Sequence, residues 1–122
     1  MERVFFIIGA ASAFVGVAVG AFGAHGLKNR LGAEMLTTYE VGVRYQMYHA
    51  LALIVVAWAQ TRWPGTLTMA SGWLFVIGTL LFSGSLYLLS LTGTRWLGAI
   101  TPLGGLAFLA GWLCLAWAAW RS

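Results

Sequence analysis

The chain has 122 residues, of which 61% are hydrophobic and 8% charged, with a formal charge of +4. A soluble domain carries about 25% charged residues, so this composition cannot cover a water-facing surface and places the chain in a bilayer. The positive charge does not point to nucleic acid, because the basic residues are spread singly over the connections and form no patch or stripe.

Four apolar stretches, about residues 4–24, 38–60, 67–91 and 96–120, fill the sequence. Each approaches the roughly 20 residues that a helix needs to cross a hydrocarbon core of about 30 Å. The pattern predicts an all-α, four-helix transmembrane bundle forming one domain, with no room for a soluble catalytic module. The first stretch follows Arg3 and ends at a passable small-x-small site, Ala21-Phe22-Gly23. It is nevertheless longer than the apolar region of a signal peptide, about 7–15 residues, and is expected to stay as a membrane helix. Ser12, Gly16, Gly20 and Ala24 repeat every four residues on one face, the small-xxx-small pattern that lets helix backbones approach. The glycines around His25 predict that this helix stops near Ala24.

After a polar connection, Thr37-Thr38-Tyr39-Glu40 fits a capping box, with Leu36 and Val41 as its hydrophobic staple. The second helix is therefore expected to start at the interface near Thr37–Glu40. Glu40 and Arg44 are spaced four apart, acid first, and Tyr39, Tyr45 and Tyr48 are suited to headgroup level. Gln46 and His49 make this the weakest span, one that needs its neighbours to insert. Trp63-Pro64-Gly65 is a turn. A third helix runs from about Thr66 to Leu91 and ends at Thr92-Gly93, and its short link to the fourth predicts an antiparallel hairpin. The fourth helix either begins near Thr94 and kinks at Pro102, or begins at Pro102 with Thr101 as its N-cap. The first is preferred, since the second leaves residues 96–100 as non-helical backbone at the membrane edge. Gly104, Ala107, Gly111, Cys114 and Ala118 alternate three and four apart, a left-handed packing seam. Cys114, alone in the chain, allows no internal disulfide and reads as a small packing residue.

Few residues could carry chemistry. Haem ligation by His25 and His49 requires both at one depth, whereas His25 sits at a helix end and His49 lies deeper. No cofactor or metal is expected. Ser83-Gly84-Ser85-Leu86-Tyr87 is a polar cluster on the third span. A serine nucleophile would need His49 as base and an acid to orient it, and none of the three acidic residues lies at a span centre. The missing acid also weakens comparison with proton-coupled exporters. Polar residues at membrane depth are functional positions by default, which marks Gln46, His49, Ser83, Ser85 and Tyr87.

The segments Gly20-Ala21-Phe22-Gly23-Ala24-His25-Gly26, Tyr45-Gln46, His49-Ala50-Leu51, Phe82-Ser83-Gly84-Ser85-Leu86-Tyr87, Thr101-Pro102-Leu103-Gly104-Gly105 and Gly111-Trp112 occur in that order. This series resembles the small bacterial membrane-protein family of unknown function whose eukaryotic relatives are called transmembrane protein 256. The resemblance covers nearly the whole chain. It implies four spans and a bacterial inner-membrane location and carries over no activity, and it marks His25, Gln46, His49, Ser83, Ser85, Tyr87, Thr101 and Pro102 as the residues to test.

The reading that follows is a non-enzymatic membrane scaffold, or an accessory subunit of a larger membrane complex, surrounded by lipid and expected to form a homo-oligomer or hetero-complex. The alternative is a minimal transporter or channel for a small solute, lined by Gln46, His49, Ser83 and Ser85. An intramembrane hydrolase ranks third. His49 is expected to face the bundle interior and to meet Ser83 or Ser85. The small faces of the first and fourth helices are expected to pack within the bundle. Arg3, Arg62 and Arg121 share one side with both termini, against Lys28, Arg30 and Arg95 on the other with Arg44 at its edge. This near-tie leans to cytoplasmic termini.

Overall fold

The computed structural model describes all residues, 1–122. Four long helices follow one another: α1 (Glu2–Phe22), α2 (Ala33–Arg62), α3 (Thr66–Thr92) and α4 (Thr101–Trp120). Principal packing runs α1 on α2, α2 on α3 and α3 on α4, so α2 and α3 are the central pair. Side chains also bridge the diagonals. Phe5 of α1 meets Trp73 of α3 edge to face at 5.3 Å, and His49 of α2 stacks on Phe108 of α4 at 3.6 Å.

Three helical rods are long and apolar enough to cross a membrane by length and composition: Glu2–Leu27, Thr66–Thr92 and Arg95–Trp120. α2 is not among them. It is the helix that carries Gln46 and His49, and both are buried against neighbouring helices. The outer faces of α1 and α4 are bare and apolar, as at Phe14, 77% exposed, and Leu113, 72% exposed. These are the faces a bilayer would cover.

Two glycine seams set the spacing. Gly9, Gly16 and Gly20 of α1, and Gly23 just past its end, face Ala50, Met47, Val43 and Tyr39 of α2 in antiparallel order. Between α3 and α4, Gly111 faces Phe75, Gly78 faces Phe108 and Gly104 faces Phe82. A Cβ at Gly9 or Gly104 would press on the facing backbone, and at the others it would displace a packed side chain, so each substitution costs some of the dispersion contact that holds helices together in lipid.

Local rules were overridden at three helix ends. The first helix does not stop near Ala24, because residues Gly23–Leu27 continue it as one wide π turn. Gly23 has right-handed angles, φ −61° and ψ −44°, and seats against the Tyr39 ring, while Leu27 is buried. The extra residue in the turn rotates the register, so Ala24 is exposed and Gly23 takes its place on the seam. α2 begins a turn ahead of the expected capping box, at Ala33 after Gly32, with Glu34 in its first turn. The Thr38 hydroxyl donates to the Glu34 carbonyl at 3.0 Å, inside the helix. The expected kink in the fourth helix is absent. Residues Arg95–Ala99 form a short 3₁₀ helix and Pro102 lies in the first turn of α4. A proline there displaces no hydrogen bond, since the first helical N–H groups have no intrahelical acceptor. The expected turn at Trp63-Pro64-Gly65 and the stop at Gly93, φ +72°, are both present.

Adjacent glycines on α4 test the seam. At Gly104 a new Cβ would press on the Phe82 backbone, whereas at Gly105 it meets nothing within 4 Å. Gly104→Leu is expected to lower stability by about 1–3 kcal/mol, the usual cost of overpacking, and Gly105→Leu to change it little. Unfolding of the purified variants in graded SDS measures both.

Candidate functional site

The polar side chains that the sequence singles out sort into separate groups. Gln46 is buried where α1, α2 and α3 meet. Its Nε2 donates to the Ser12 carbonyl at 2.9 Å, and its Oε1 accepts from the Tyr87 hydroxyl at 2.6 Å. One amide thus ties three helices. Ser83, one turn from Tyr87, donates across to the Gly42 carbonyl of α2 at 2.6 Å.

His49 is 4% exposed and faces α4. Trp112 Nε1–H donates to its Nε2 at 3.1 Å, and an indole N–H can only donate. Nε2 is therefore unprotonated, and Nδ1 carries the hydrogen that bonds the Tyr45 carbonyl at 2.8 Å. Phe108 covers one face of the ring, with 6° between the planes. Both nitrogens are engaged within the protein.

Ser85 and Thr101 form a third group. Their oxygens lie 2.6 Å apart, and Ser85 also bonds the Phe82 carbonyl at 2.9 Å. Each hydroxyl holds one proton, so Ser85 donates to the carbonyl and Thr101 donates to Ser85. His25 stands apart in the π turn, exposed, with Nδ1–H on the Ala21 carbonyl at 2.9 Å. Nearby the Tyr39 hydroxyl donates to the Val19 carbonyl at 2.5 Å and holds the same end of α1 on α2.

His49 does face the interior, but it meets neither Ser83 nor Ser85. Gln46 and His49 are three residues apart on α2, about 60° in direction, and that is enough to turn Gln46 to α1 and α3 and His49 to α4, so no hydrogen bond links their groups. Gln46, His49, Ser83 and Ser85 do not line one path either. Gln46 and Ser83 border a groove between α1 and α3, whereas His49 borders another between α2 and α4. Sequence reasoning missed Trp112 and Phe108 as the partners of His49. Their spacing of four on one face of α4 was the available signal, but nothing in it names the helix opposite. Of the packing positions, Ser12, Gly16 and Gly20 lie on the α1–α2 seam. Gly104 and Gly111 are buried and Ala107 half-buried on α4, with the two glycines set against α3. No group of three or more His, Cys, Asp or Glu residues could hold a metal ion.

Comparisons with known proteins agree with this picture of a small membrane bundle. A family profile described as "Protein of unknown function (DUF423)" matches residues 19–105. The UPF0382 membrane protein YwdK of Bacillus subtilis is 48% identical over 91 residues, 74% of each chain. A UPF0382 membrane protein of Haemophilus influenzae is 43% identical over 124 residues, covering 100% of this chain and 98% of that one. The UPF0382 inner membrane protein YgdD of Escherichia coli is 41% identical over 91 residues, 75% of this chain and 70% of that one. No solved structure matches.

The separation of the groups predicts how substitutions combine. Gln46→Leu and Tyr87→Phe share a bond and are expected to be non-additive, with a coupling near the membrane average of about 0.6 kcal/mol. Gln46→Leu and Trp112→Phe share no partner and are expected to add. Double-mutant cycles on SDS-unfolding midpoints decide between one polar network and several.

Proposed function

Given that the chain belongs to this family of membrane proteins of unknown function, we propose that it is a non-enzymatic scaffold or an accessory subunit of a larger membrane complex. One observation carries the reading. The residues best placed for chemistry or a solute path, Gln46, His49, Ser83 and Ser85, are each engaged by a partner inside the chain, and they do not converge: Gln46 and Ser83 border one groove, His49 another, and Ser85 bonds Thr101 of α4. Catalysis needs a nucleophile, base and orienting group on one reacting atom. Conduction needs polar groups in file. Neither arrangement is supported by this geometry, which instead suits rigid helix positioning with apolar outer faces left for lipid or a partner.

In this reading α2 crosses the bilayer with the other three helices. It is antiparallel to α1 along a seam that runs from Gly9–Ala50 to Gly23–Tyr39, and its polar residues are shielded by neighbours rather than exposed to lipid. Four crossings put both termini on the side of the Arg62 turn. The membrane would be the bacterial inner membrane, with that side cytoplasmic.

Isolation from native membranes in mild detergent is expected to recover a second membrane protein in stoichiometric amount; recovery of this chain alone, as a monomer, would overturn the reading. Liposomes holding the purified chain are expected to release glycerol no faster than empty ones, and faster release would favour the transporter. For topology, a reporter active only in the periplasm, fused after Ser122, is expected to stay inactive.

A further inference from the structure

The groove between α1 and α3 has a volume of about 480 Å³, with α2 as its floor. That lies within the range of ligand sites, about 300–1,000 Å³. Most of its wall is aliphatic, with Ile8 from α1, Leu53 from α2, and Val76 and Leu80 from α3. Gln46 and Ser12 form a polar spot on this wall. A few convergent polar groups in an otherwise apolar concavity are what a binding site for a small molecule requires.

Ser12 differs from the other hydroxyls that line the groove. Thr79 donates to the Phe75 carbonyl, Ser83 to the Gly42 carbonyl and Tyr87 to Gln46. The Ser12 oxygen only accepts a long contact of 3.5 Å from Gln46, and its own hydrogen reaches no acceptor in the protein. In hydrocarbon no water is present to accept it, so a free donor there is costly. The second groove, about 530 Å³ between α2 and α4, has no such vacancy at its histidine, because both nitrogens of His49 are bonded.

Depth restricts what can reach Ser12. It lies about 15 Å along the axis from Glu2 at about 1.5 Å per residue, near the middle of a hydrocarbon core about 30 Å thick. A phospholipid headgroup stays at the interface, and a charge at this depth is strongly disfavoured. The occupant must therefore be uncharged, dissolve in the bilayer and bring an acceptor oxygen.

We propose that this groove binds, from within the bilayer, an uncharged lipid-soluble molecule through a carbonyl oxygen that accepts the Ser12 hydroxyl. The tail of the molecule lies against Ile8, Leu53, Val76 and Leu80. Binding is lateral, requires no path across the bundle, and does not depend on whether a partner protein is present.

Two glycines make the test specific. Gly84 lines this groove and Gly105 lines the other, and a Cβ at either meets nothing within 4 Å, so a side chain can start at either position without displacing the backbone. The probe is decylubiquinone, an uncharged carbonyl-bearing molecule with an alkyl tail. Decylbenzene, which has no oxygen, is the control. Native mass spectrometry of the detergent-purified full chain counts bound molecules, with circular dichroism as the check on folding. One decylubiquinone is expected on the unmodified protein, lost in Gly84→Leu and retained in Gly105→Leu. Ser12→Ala is expected to weaken it about tenfold, to the level of decylbenzene on the unmodified protein, and it tests the site independently if Gly84→Leu does not fold. Absence of the adduct on the unmodified protein, its survival in Gly84→Leu, its loss in Gly105→Leu, or equal binding of decylbenzene would overturn the proposal.

Discussion

Gln46 is the residue around which the bundle is organised. A primary amide buried among helices has no water to satisfy it, so its hydrogen bonds must come from the protein. They come from both sides, the Ser12 carbonyl on α1 and the Tyr87 hydroxyl on α3. Satisfying this one side chain fixes the phase of α2 relative to two neighbours. It also explains why the least apolar helix holds a central position. Gln46 and His49 would be unfavourable on an outer helix, and in the centre each finds a donor or acceptor on a neighbour.

Close approach is the second condition, and the glycine seams provide it. Apolar side chains gain little by leaving lipid for one another, so helix association depends on contact density and on short polar links. Gly16 brings the Met47 and Gln46 side chains against the α1 backbone, and the Gln46 bond to the Ser12 carbonyl is 2.9 Å. On the opposite side Gly104 seats on the Phe82 backbone, and Phe108 is drawn over His49. Packing and hydrogen bonding are thus coupled at Gln46, whose amide lies against Gly16 and whose partner Tyr87 lies against Gly42. The seams leave grooves on either side of the central pair, one between α1 and α3 and one between α2 and α4.

Much of the fold was legible in the sequence because hydropathy and turn chemistry are local. The stretches of apolar residues, the Pro64-Gly65 turn and the glycine stop at Gly93 need no knowledge of neighbours. The row of small residues on the first helix was also visible, as was the weakness of the span holding Gln46 and His49. The helix ends were less legible. Glycines around His25 read as a stop, yet the buried Leu27 and the Tyr39 ring hold that segment helical. Thr37 and Glu40 read as a cap, yet the helix had already begun at Ala33. Pro102 was compatible with a kink or a start, and only the 3₁₀ segment before it selected the start.

By itself the sequence determined that the chain belongs in a membrane, that its elements are helices, and which side chains would need polar partners there. These follow from transfer free energies and local backbone preferences, which each residue carries with it. Only the tertiary structure decided which partner each polar group found. Three residues apart on one helix, Gln46 and His49 differ by only about 60° in direction, and it is the packing of four helices around two seams that gives them different neighbours. Helix order, phase and spacing are collective results of packing, and so the pairing of His49 with Trp112 and the open hydroxyl of Ser12 in its groove belong to the fold rather than to any local motif.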